Sequence, residues 1–207
     1  MTASRRERRA LVETFRAVGP DAPTLCGGWT TRDLAAHLVI RERRLDAAPG
    51  ILIPALAGHT AKVQGQLTRS KGWDELVDLL AAGPPLYSPF KALDSVASVG
   101  EMFIHHEDVR RAEGGWQPRR LDDSIVTALR RPLSLMSRLT LAKSPARVLL
   151  QTPGGERIAG VGRGETVTVT GEPQELLLFV AGRDEAQVDF GADPQTVAAV
   201  REARRSL

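Results

Sequence analysis

Residues 29–43 read WTTRDLAAHLVIRER. Thr30 can cap a helix, Asp33 three positions on can complete a capping box, and Trp29 can staple against Leu34, so a helix is predicted to begin here. Within it Leu34, His37, Leu38 and Arg41 fall at i, i+3, i+4 and i+7 on one face, which turns His37 inward. A buried imidazole needs a partner for each ring nitrogen. The question that spreads outward from this stretch is what that partner is.

Upstream, GPDAP breaks a helix predicted over 3–18, whose Leu11, Val12, Phe15 and Val18 share a stripe. Downstream of APGILIP the pattern predicts helices over 55–70 and 73–82, the second ended by GPP, then one over 91–113 stopped by Gly114 and Gly115. A helix over 122–142 follows, with a kink expected at Pro132. From 146 the pattern changes to short β-branched runs, RVLLQT, ERIAGVG and TVTVTG, separated by glycine-rich turns, which read as a meander of strands. PQELLLFVAGR reads as a buried helix ended by Gly182, and DPQTVAAVREARRSL as a final amphipathic one. The expected fold class is α+β, with a helical domain over 1–145 and a small α/β domain over 146–207.

Composition narrows the class of function. With 42% apolar and 26% charged residues, the 207-residue chain belongs with globular proteins rather than disordered ones. No apolar run approaches the roughly 20 residues of a spanning helix, and MTASRRERRA lacks the apolar core of a signal peptide, so the expectation is cytoplasmic with no membrane partner. Net charge is only +3, and the basic clusters SRRERR and REARR carry interspersed Glu and no aromatic residue for base stacking, which argues against nucleic acid. The single cysteine, Cys26, excludes an internal disulfide and suits a reducing compartment.

A second stretch answers to the first. In GEMFIHHEDVRRAEG, residues 100–114, Glu101 and His105 stand one turn apart and about 40° from each other around the helix, so they can converge on one point. They flank an apolar stripe of Leu93, Val96, Ala97, Gly100 and Ile104. His106, turned a further 100° or so, is a poor partner for Glu101 and reads as a supporting, core or surface residue. Asp108, three residues after His105, has the spacing to orient that imidazole, or it is a surface acid. Glu107 and Arg111 have the spacing of an exposed ion pair. If His37 meets Glu101 and His105, two imidazoles and a carboxylate form a set that binds zinc, iron or nickel with positions left open. Spacing alone leaves a hydrogen-bonded core histidine as the competing reading.

The segments LCGGWTTRDLAAHL and GEMFIHHEDVRRA together resemble the actinobacterial branch of the DinB-like superfamily, in particular the mycothiol-dependent maleylpyruvate isomerase family and its metal-binding relatives. The resemblance implies an N-terminal four-helix bundle that binds a divalent metal, zinc ahead of nickel or iron, through His37, Glu101 and His105. It also implies a smaller C-terminal domain with an Arg that helps bind an acidic substrate, for which Arg183 is the nearest counterpart; a cation at the helix end is its alternative role. The implied activity is isomerisation or transfer on a small electrophile with mycothiol as cosubstrate, carried by a monomer or homodimer; a non-catalytic ligand-binding or regulatory module is the alternative. Nothing in the sequence selects maleylpyruvate as substrate. Cys26, before Gly27 and Gly28, reads first as a small buried residue in a tight turn and second as a reactive thiol. His59 is the remaining candidate for a fourth ligand.

Overall fold

The structure, a computed structural model, describes residues 1–51, 53–88, 91 and 97–203. It is α+β, and the chain divides into two compact units, Met1–Trp116 and Gln117–Leu207.

The first unit is helical: α1 (Ala3–Val18), α2 (Thr31–Arg43), short 3-10 turns at Ala48–Ile51 and Pro54–Leu56, α3 (Ala57–Ser70), α4 (Trp73–Ala81) and α5 (Ala97–Arg110). Its apolar core joins Leu11 and Phe15 of α1, Leu34 and Leu38 of α2, Leu80 of α4 and Met102 of α5. The Phe15 and Trp73 rings meet edge to face at 5.6 Å. Val18, expected on the same stripe, is exposed, because α1 ends beside Gly19 and the chain turns away. The helix with the second motif ends at Arg110, three residues short of the expected 113; Leu93 and Val96 lie outside the described residues.

Charged groups run through this core. Arg8 and Glu42, both buried, form an ion pair between α1 and α2, and Arg8 also donates to the Leu80 carbonyl at 3.0 Å. Glu107 pairs with Arg111 as the spacing predicts, but both are 1% exposed, so the expectation of a surface pair is overturned. The stack of Arg111 on the Trp116 ring, 4.4 Å to its centroid, accounts for part of that burial.

The second unit holds α6 (Asp123–Thr140), β1 (Arg147–Gln151), β2 (Arg157–Val161), β3 (Thr166–Thr170), α7 (Pro173–Val180), β4 (Asp189–Gly191) and α8 (Pro194–Ala203). The helix α6, expected with the residues before 145, falls in this unit, where it packs on α7 and β2. Every residue of α7 is buried, and Val148, Leu150, Val167 and Val169 bury alternate positions of the sheet.

The sheet is not the expected meander. Its order is β2-β1-β3-β4, with β1 and β2 antiparallel, β1 and β3 parallel, and β3 and β4 antiparallel. After β2 the chain crosses the start of β1 through residues 162–165, anchored where Arg147 N–H donates to the Glu165 carbonyl at 2.8 Å. Gly162 and Gly164 take φ of +88° and +91°, which only glycine adopts readily, and a Cβ on Gly162 would stand 2.5 Å from the Ala146 carbonyl oxygen. Gly162→Ala is therefore expected to cost about 2 kcal/mol or more, measured by denaturant unfolding; a loss within a few tenths would mean the crossing tolerates a side chain.

Candidate metal centre

Short-range bonds fix where α2 starts. Thr30 and Asp33 form the complete capping box, and Trp29 packs against the core cluster that holds Leu34. The loop before it is tied to α5, since Leu25 N–H donates to the Asp108 carbonyl at 3.0 Å. With α2 and α5 in this register, His37 faces the turn of α5 that carries Glu101 and His105.

The structure brings these three side chains together. One ligand atom from each of His37, Glu101 and His105 lies within 4.8 Å of the others. The two imidazoles are 5.7 Å apart and nearly perpendicular at 73°. Donors bound to one zinc lie about 2.0–2.2 Å from it and so no more than about 4.4 Å from each other, which puts this trio close to the scale of one coordination sphere.

The electrostatics suit a cation. Burial, with the neighbouring His105 and Arg41 charges, lowers the His37 pKa to about 3, against a Gln64 hydrogen bond acting the other way; its ring is neutral at pH 7 with a lone pair to give. Burial pulls His105 down, but hydrogen bonds with Asp108 and Cys26 outweigh it and raise the pKa to about 9. His105 Nδ1 is 2.9 Å from the fully buried Asp108 carboxylate, which leaves Nε2 as the nitrogen outside that bond. Burial raises the Glu101 carboxyl, while Arg41, in an ion pair with it, pulls it back. Two nitrogens and an oxygen, each partly exposed, fit a borderline divalent ion with room for further ligands.

The other candidates separate cleanly. His106 is a core residue, with Nδ1 2.8 Å from Glu7 and Nε2 2.8 Å from Thr14 of α1. His59 is exposed and lies 3.4 Å from Asp46; it joins none of the ligand groups among the described residues, so it supplies no fourth ligand there. Cys26 is half-buried rather than buried and touches Asp108. Arg183 lies in the second unit, beyond the end of α7, where its guanidinium donates to the Ala181 carbonyl.

Three contacts had no reading in the sequence. Arg41 was placed on the His37 face without a role, and it holds Glu101. Trp29 lays its ring 5.1 Å from that of His37. Gln64 of α3 hydrogen-bonds the same imidazole, a contact that no spacing signals because it joins separate helices.

Residues 1–86 match the family model described as the mycothiol maleylpyruvate isomerase N-terminal domain. Over these residues, fewer than half of the 207, the chain is similar to that family. No curated protein and no solved structure matches the chain. The family match takes in α1 to α4 and His37 but stops before Glu101 and His105, whose placement beside His37 is a finding of the geometry.

A pH dependence follows. Below about 9 a cation must displace the His105 proton, whereas His37 needs no deprotonation above about 3. Affinity for zinc is thus expected to rise by up to about tenfold per pH unit from pH 6 and to level off near pH 9, read by competition with a chromophoric chelator. An affinity flat over that range would remove His105 from the ligand set.

Proposed function

We propose that the chain binds a divalent cation, zinc foremost, through His37, Glu101 and His105, and uses it with a low-molecular-weight thiol such as mycothiol to isomerise or conjugate a small, acidic electrophile. The observation that carries this reading is the convergence of those three donors, two of them from beyond the family match. A cation in such a site supplies a Lewis acid that keeps a thiol ionised near neutral pH.

The chain's own residues do the rest. Asp108 holds the His105 Nδ1 proton and so fixes which nitrogen faces the site. Burial pushes the Glu101 carboxyl up, and the Arg41 guanidinium paired with it offsets part of that rise. Trp29 and Gln64 brace His37 from two sides.

The same two residues also line a cleft of about 340 Å³ with Thr68 and Arg69, a volume that suits a small ligand. The Arg69 guanidinium lies over Gly65, where a Cβ would come within 3.2 Å of it, so the absent side chain leaves this cation its place. In this reading Arg69 holds the carboxylate of the electrophile next to His37. Arg183 enters only through the family resemblance. A cytoplasmic setting suits a reduced thiol cosubstrate.

The test is metal analysis of protein purified without chelator or metal-binding tag, followed by turnover of mycothiol with a panel of unsaturated carboxylic acids. Wild type is expected to hold about one cation per chain and to consume thiol; His37→Ala should lose both while its circular dichroism stays that of the wild type. Cation retained at full occupancy in His37→Ala would sink the assignment. Arg69→Ala should raise the KM for the acid by about tenfold or more at nearly unchanged kcat, the mark of lost ground-state binding.

A further inference from the structure

The loop before α2 and the last turns of α5 assemble another group of donors that the proposed activity leaves unused. Cys26 Sγ is 3.0 Å from Asp108 Oδ2 and 3.8 Å from His105 Nδ1, and the two latter atoms are 2.9 Å apart. Around a tetrahedral ion, ligand atoms bonded at about 2.0 Å through nitrogen or oxygen and 2.3 Å through sulfur lie roughly 3.2–3.7 Å from each other. The observed triangle is within about half an ångström of that on every edge.

The triangle is built into the fold. Leu25 N–H is bound to the Asp108 carbonyl at 3.0 Å, Cys26 N–H to the Thr24 hydroxyl at 3.2 Å, and that hydroxyl to the Trp29 carbonyl at 2.8 Å. Gly27 and Gly28, at φ of +50° and +83°, then turn the chain tightly into the α2 cap. Cys26 is partly exposed and the Asp108 side chain is 0% exposed, so the triangle joins a residue that reaches the surface to a buried carboxylate.

We propose that Cys26 Sγ, His105 Nδ1 and Asp108 form a second cation seat, selective for soft divalent ions such as cadmium, that competes with the His37–Glu101 seat for the one His105 ring. Occupation releases the thiol proton of Cys26 and the Nδ1 proton of His105 to solvent, which leaves the ring neutral with its remaining proton on Nε2. The ion's two positive charges then face two negative ligands, the thiolate and the carboxylate, so the seat becomes neutral. The Nε2 lone pair is thereby lost to the first seat, and a soft ion held by Cys26 switches off whatever a cation does beside His37. Soft ions prefer the thiolate set and harder ones the imidazole and carboxylate set.

Cadmium titration followed by the ultraviolet thiolate-to-cadmium charge-transfer band reads this seat directly. Wild type is expected to show the band, Cys26→Ser to lack it, and His37→Ala to keep it with equal or tighter affinity because competition is gone. Asp108→Asn should weaken cadmium about tenfold or more; if that variant does not fold, as judged by circular dichroism, His105→Gln is expected to give the same loss. A folded wild type with no thiolate band overturns the proposal, and so does cadmium affinity unchanged in the folded Asp108→Asn or His105→Gln protein, which would describe a lone thiol. The inference stands apart from the proposed activity: failure here leaves metal content and thiol turnover of the wild type intact, while failure there leaves the cadmium band.

Discussion

The carboxylate of Asp108 holds the helical unit in register. It is wholly buried, it takes hydrogen bonds from the His105 ring and the Cys26 thiol, and the carbonyl of the same residue accepts from Leu25. A buried carboxylate without such donors costs several kcal/mol, so these bonds are obligatory once the residue is inside. They fasten the loop 24–28 to α5, and the capping box at Thr30 and Asp33 carries that alignment into α2. His37 faces His105 because of this chain of short bonds, and a slip at Asp108 would separate the donors before any of them changed.

The same unit is crossed by other buried ion pairs, Arg8 with Glu42 and Glu107 with Arg111. Such pairs add little net stability, because desolvation offsets most of their attraction, but removing one partner leaves an uncompensated charge inside. They therefore penalise every helix alignment in which a partner is missing. The packing of Leu11, Leu34, Leu38 and Leu80 drives association without direction, and the ion pairs select one arrangement from those that apolar contact would allow.

What was legible in the sequence was what local chemistry decides. The start of α2 was readable because capping joins residues three apart, and the Glu101 and His105 pair because a helix turn sets their angle. Their meeting with His37 could be reasoned from inward faces, though only tertiary packing brings the faces together. Burial of Glu107 and Arg111 was invisible, since an i,i+4 pair looks the same in water and in a core, and the face is decided by Trp116 and the neighbouring helices. The parallel pairing of β1 and β3 escaped for a related reason: alternation names a strand but not its neighbour, and the crossing at Gly162 and Gly164 chose β1. The brief β4, Asp189–Gly191, carries too few residues to make a pattern at all.

The ion pair of Arg41 with Glu101 has a bearing on what the helical unit needs in order to stand. A guanidinium already supplies positive charge to the carboxylate that a cation would otherwise have to neutralise, so the bundle has no electrostatic reason to collapse when ions are scarce. Under the proposed function, then, the fold would stand without waiting for its ion.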